Sequence, residues 1–85
     1  MKLLLCLECH DIFKLDCKER ACKCGKTQGM YQEDGLNANY RGPCIPLGFA
    51  NSSLVSAIRN QPEAGLGERF EAFVIPKKCP TMNRV

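Results

Sequence analysis

With 85 residues, 45% of them hydrophobic, and a net charge of +3, the chain has room for one compact domain. A domain of this size buries only roughly 60 to 65 percent of its unfolded surface, so apolar burial alone leaves it marginal and a staple is expected. Seven cysteines can supply one, and no stretch approaches the roughly 20 apolar residues that a membrane-spanning helix needs.

Leu3-Leu4-Leu5-Cys6 is a short apolar run leading into a turn, and Ile12-Phe13-Lys14-Leu15 leads away from it, which reads as an antiparallel hairpin. Between them lies Cys6-Leu7-Glu8-Cys9-His10, whose two-residue spacer lets both sulfurs face one ion from a tight turn. Residues 16–21 are charged and loop-like. Cys22-Lys23-Cys24-Gly25 follows as a second knuckle, with Gly25 free to take the positive φ that wrapping backbone around a metal demands. Residues 27–32, with Met30 and Tyr31, read as a third strand, and Glu33-Asp34-Gly35 as a turn into a fourth run over residues 36–40.

Arg41-Gly42-Pro43 interrupts that run. The apolar segment at residues 44–49 carries Pro46, so it suits an edge or a buried loop better than a central strand. Asn51 or Ser52 is the expected N-cap of a helix over residues 52–60, with Leu54, Val55 and Ile58 on its apolar face and Asn60 and Pro62 as stop signals. After a Gly- and Pro-rich loop at 61–67, residues 68–75 alternate Phe70, Ala72 and Val74 with Arg69, Glu71 and Phe73, a strand pattern ended by Pro76. Residues 77–85 form a basic tail with Cys79, mobile at its end. The expected fold class is α+β, a small zinc-ribbon β-sheet domain with one short helix. One domain spans 1–85: a ribbon of about three strands at 3–32, an extension at 33–76 sharing its core, and the tail. Expected core positions are Leu3, Leu5, Phe13, Leu15, Ile45, Phe49, Phe70 and Val74.

Zinc takes about four thiolate or imidazole ligands in tetrahedral geometry, and two knuckles each delivering two sulfurs meet that need. Cys6, Cys9, Cys22 and Cys24 fit, and residues 3–32 resemble the zinc-ribbon family on those knuckles. The single residue between Cys22 and Cys24 departs from the commoner two-residue spacer, so Cys17 could replace Cys22, with His10 a substitute ligand. Three other chemistries share the motif. Cys6-Leu7-Glu8-Cys9-His10 matches a c-type haem attachment site, which needs export, and a thioredoxin-like pair needs a βαβ context that does not follow. Four thiolates also suit an iron–sulfur cluster. The odd cysteine count, the tight Cys-x-Cys and the lack of an export signal favour thiolates in the cytoplasm. Cys44 and Cys79 are expected as buried space-fillers, since nothing in their spacing supports a second metal site or a disulfide.

Catalysis is not expected: there is one histidine, no Ser-His-Asp set, and a zinc held by four thiolates has no open position for water. Lys14, Lys18, Arg20, Lys23 and Lys26 concentrate positive charge around the second knuckle and are candidate phosphate contacts for a nucleic acid. Asn37, Asn39, Tyr40 and Arg41 are candidates for binding a partner or a small anionic, nucleotide-like ligand, with Asn37, Asn39 and Arg41 in one polar row. The opening Met1-Lys2-Leu3-Leu4-Leu5-Cys6, the Asp34-Gly35-Leu36-Asn37-Ala38 turn and the Gly67–Pro76 segment together resemble small zinc-ribbon proteins of bacteriophages and prophages. That resemblance implies a cytoplasmic accessory role during infection. The leading expectation is a non-enzymatic module that works by protein–protein interaction, such as a phage factor that binds or inhibits a host protein, with no membrane partner.

Overall fold

Eight strands and one helix follow one another in the computed structural model, which describes residues 1–85. They are β1 (Lys2–Cys6), β2 (Ile12–Lys14), β3 (Arg20–Ala21), β4 (Gln28–Tyr31), β5 (Ala38–Arg41), β6 (Cys44–Phe49), α1 (Asn51–Arg59), β7 (Ala72–Val74) and β8 (Met82–Arg84). The strands form two four-stranded sheets, in the orders β2-β1-β6-β7 and β3-β4-β5-β8. The fold is α+β, mostly sheet with one short helix.

Side-chain alternation decides which face of each sheet is buried. In the first sheet Leu4 pairs with Phe13 on one side and Pro46 on the other, and Ile75 donates its N–H to the Pro46 carbonyl. Leu4, Phe13 and Ile75 are all buried and form the inner face of that sheet. The second sheet answers with Ala38, Tyr40 and Met82, also buried. The two layers meet closely where Leu4 and Leu15 press onto the backbone of Gly29: a Cβ there would lie 2.9 Å from both side chains. Lys2 spans the two layers at one end, its ammonium bonded to the carbonyls of Leu36 and Thr81.

Several sequence expectations need correction. The expected three-stranded ribbon is divided, because β1 and β2 lie in one sheet and β3 and β4 in the other. Residues 44–49 form a central strand, flanked by β1 and β7, despite Pro46. Phe49 donates to Met1 and Leu7 donates to the Pro43 carbonyl, so odd-numbered residues of β6 bond toward β1. Pro46 faces the other way, opposite Ile75 just past the end of β7, where its carbonyl accepts and the ladder has already ended. Residues 68–75 are strand only at Ala72–Val74, and all three residues of this edge strand are exposed. Phe70 and Val74, expected in the core, are 39% and 67% exposed, and Ile75 is buried instead. Leu5, Ile45 and Phe49 are half-buried.

Helix α1 begins after Ala50, with no side-chain cap. Asn51 is unavailable for that role because its Oδ1 accepts from the Met1 ammonium at 3.0 Å. Ala57 is the helix's one buried residue, whereas Val55 and Ile58 are exposed, so α1 is not packed by the apolar trio expected. The tail is docked rather than mobile. Strand β8 runs parallel to β5, Met82 is buried, and Arg84 donates to the carbonyls of Gly42 and Cys44.

Candidate metal centre

Each sheet contributes one knuckle. The turn from β1 to β2 carries Cys6 and Cys9, and the turn from β3 to β4 carries Cys22 and Cys24. In the first, His10 donates to the Cys6 carbonyl at 2.9 Å and takes φ 60°; in the second, Gly25 donates to the Cys22 carbonyl at 3.0 Å with φ 78°. Both therefore end on a left-handed residue, the second one residue sooner. The short spacer between Cys22 and Cys24 is absorbed by closing the turn over three residues instead of four.

The four sulfurs lie within 4.8 Å of one another. Cys6 Sγ is 3.7 Å from Cys24 Sγ, and Cys22 Sγ is 3.4 Å from Cys24 Sγ. Tetrahedral zinc with bonds of about 2.3 Å requires sulfurs about 3.8 Å apart, so the cluster has the dimensions to hold a metal ion. All seven cysteines are free thiols. Cys6 and Cys22 are buried within the core cluster, and Cys9 packs against it, so the site is continuous with the hydrophobic core.

Backbone and hydroxyl donors surround the sulfurs. The Thr27 hydroxyl, with the N–H groups of Cys9 and Glu8, holds the Cys6 thiol down at about 6. Burial, the largest influence on Cys22, opposes its ionisation, but the Thr27 N–H, 3.4 Å from its sulfur, together with the thiols of Cys24 and Cys9 outweighs it and keeps that thiol below its ordinary value. The Lys26 N–H favours a Cys24 thiolate, yet the crowding thiols of Cys22, Cys9 and Cys6 push it up to about 12. Within the cluster Cys6 and Cys22 thus lose their protons readily and Cys24 reluctantly, and a bound cation relieves the repulsion between neighbouring thiolates. Sequence reading did not single out Thr27. It is fully buried, a rare fate for a polar residue in so exposed a loop, and the Pro43 carbonyl, 3.4 Å from its hydroxyl, is the competing acceptor for the same proton.

Cys17 and His10 are exposed and outside the cluster. Cys44 lies in the core opposite Cys6 in the β1–β6 ladder, where burial raises its thiol, and Cys79 packs against the same core. Lys14, Lys18, Arg20, Lys23 and Lys26 are all exposed and make no ion pair; the one ion pair joins Arg41 to Glu19. Asn37, Asn39 and Arg41 share the outer face of the second sheet, each bonded to neighbours: Asn37 to Asp34, Asn39 to Gln32, and Arg41 to Gln28 and Glu19. Tyr40 points inward, under the Arg84 guanidinium at 4.8 Å. Asn39, Tyr40 and Arg41 border a shallow cleft of about 160 Å³.

The outer face of the first sheet is also apolar and partly exposed. Ile12, Leu5 and Ile45 form one row across it, and Leu3, Leu47 and Val74 the next, with Lys14 beside Leu3 at its end; Leu3 is buried and Leu5, Ile45 and Leu47 are half-buried. Ile12 and Val74 are 52% and 67% exposed. The signal for this face lay in Leu3-Leu4-Leu5, a run apolar at both parities, as a strand covered on both sides requires.

Fold and site together define a small β-rich domain with a four-cysteine candidate metal centre joining two sheets. No family model, curated protein or solved structure matches the chain. No helix is long and apolar enough to cross a membrane.

Proposed function

We propose that the chain is a non-enzymatic zinc protein of the cytoplasm that acts by protein–protein interaction, a phage-type accessory factor that binds or inhibits a host protein. The observation that carries this reading is the apolar outer face of the first sheet, with Ile12 and Val74 more than half exposed. Contiguous apolar surface of this kind marks interaction sites. Zinc is the metal of choice because four thiolates at tetrahedral spacing suit it and leave no position for a reacting water. The ion then contributes to folding, and the surface supplies the function.

Native mass spectrometry of protein purified without added metal should show one zinc per chain. A photo-crosslinking residue at Ile12, at the opposite edge of the sheet from β7, should then trap one host protein in cells, and the same residue at Gln28 on the second sheet should not. Equal trapping from both positions would refute the assignment of the face.

A nucleic-acid-binding zinc ribbon is the second reading, favoured by five exposed cations free of ion pairs around the second knuckle. Phosphate contacts by all five would make log K fall against log salt with a slope of about −3.5 to −4.5. Affinity insensitive to salt would remove this reading.

A further inference from the structure

The first sheet ends at β7 with its outer edge unpaired. Glu71 accepts from the Ala50 N–H, and Ile75 donates to the Pro46 carbonyl, so the odd-numbered residues of this segment spend their backbone groups on β6. Strand polarity alternates, which turns the N–H and C=O of Ala72 and Val74 outward. Nothing covers them: Ala72 is exposed, and Phe73 and Val74 are 53% and 67% exposed. Such an edge is a template for another strand.

The geometry points to a second copy of this chain as that strand, paired antiparallel to β7 about a two-fold axis through Phe73. Three features of β7 favour self-pairing. First, the outward residues are Ala72 and Val74, equidistant from Phe73, so the two-fold sets each against the other and closes four hydrogen bonds. Second, the flanks differ in net charge, −1 for Glu68, Arg69 and Glu71 before the strand and +2 for Lys77 and Lys78 after it, and the register sets Glu68 beside Lys78 of the other copy although it also sets Arg69 beside Lys77. Antiparallel pairing lays the acidic flank of one copy beside the basic flank of the other. Third, Pro76 has no N–H to offer at the next outward position, which stops the ladder from lengthening and holds the register at Phe73. The product is one eight-stranded sheet, in the order 2-1-6-7-7-6-1-2, in which each Val74 packs beside the Ala72 of its partner.

This surface is separate from the metal centre and from the crosslinking rows of the outer face, apart from Val74 at its border. The test is sedimentation equilibrium of the full zinc-loaded chain. The expected result is a reversible dimer of twice 9.5 kDa, with a dissociation constant on the order of micromolar, since a short edge yields few bonds. Val74→Pro removes one outward N–H per copy and none bonded to β6. It should weaken the dimer at least about tenfold while zinc content stays at one per chain. Amide exchange on the unaltered protein decides the matter even if that variant folds poorly. Protection at Ala72 and Val74 should rise with protein concentration, while protection at Phe73, bonded within the sheet, should not. A chain that remains monomeric at about 100 µM, or exchange at Ala72 and Val74 that ignores concentration, would overturn the proposal.

Discussion

Replacing Gly42 by alanine should damage the metal centre without touching a ligand. Gly42 links β5 to β6 where the chain passes from one sheet to the other, with φ 104°. A Cβ there would lie 2.1 Å from the Lys26 carbonyl oxygen and 2.8 Å from the Thr27 Cα. Both are backbone atoms, so no rotamer change relieves the clash. The disfavoured φ costs about 1 to 3 kcal/mol for a residue with a side chain, and forced displacement of packed structure about 1 to 3 more. The sum, about 2 to 6 kcal/mol, is a large share of the roughly 4 to 13 expected for a domain this long. At about 4 to 8 °C per kcal/mol, the melting temperature should fall by at least about 8 °C. Lys26 and Thr27 donate the N–H groups that face Cys24 and Cys22, so zinc affinity should fall as well. Thermal melts by circular dichroism at fixed free zinc, with chelator competition for affinity, measure both effects. Gly35→Ala is the control: its φ is 67°, but a Cβ there meets nothing within 4 Å. Equal losses in the two variants, or a Gly42→Ala melt within about 4 °C of the parent, would refute the argument.

Removing the metal with a chelator, or replacing Cys9 by serine, should abolish cooperative melting near the knuckles, because structural zinc contributes its binding free energy to folding. Retention of the parent melt in metal-free protein would contradict this. Cys17→Ser should keep one zinc per chain by native mass spectrometry, since Cys17 is exposed and outside the sulfur cluster. Asp34 accepts from the Asn37 side chain first and then from the Leu36 and Asn37 N–H groups, which lowers its pKa from the ordinary 3.8. The stabilisation this gives is therefore present above about pH 4 and is lost as pH falls through the depressed value. A carboxyl titration by NMR with its midpoint at or above 3.8 would show that the turn is not closed this way.

The metal knuckles were legible because thiolate chemistry constrains spacing, and the second turn was marked besides by Gly25 after its cysteines. His10 was harder to read, since its left-handed conformation is one glycine usually supplies. Strand β6 was misread because a proline vetoes a central strand only when its missing N–H faces a ladder that needs it, and direction depends on register. Register is a tertiary property. Residues 68–75 alternate well, yet both faces of that segment are apolar at Phe73 and Val74, so alternation could not say which face was buried or that the strand would lie at an edge. The tail failed for a related reason: β8 pairs in parallel with a strand more than 40 residues earlier in the chain, and no local pattern announces such a partner.

The position of the cluster also determines how the protein should come apart. Strands β1 and β6 pair over five residues, and β1 also pairs with β2, so the first sheet holds its knuckle by several ladders. The second knuckle is anchored on one side by β3, a strand of two residues paired only to β4. With the ion bound, Cys22 and Cys24 are tied to the opposite sheet through Cys6 and Cys9. Once it leaves, β3 retains two paired residues and its own exposed side chains. Hydrogen exchange after chelation should therefore show protection lost first at residues 20–28, while the amides of Leu4 and Leu47 in the first sheet exchange more slowly. Simultaneous loss across both sheets would mean that the ion supports one cooperative unit rather than pinning a weak hairpin to a stronger sheet.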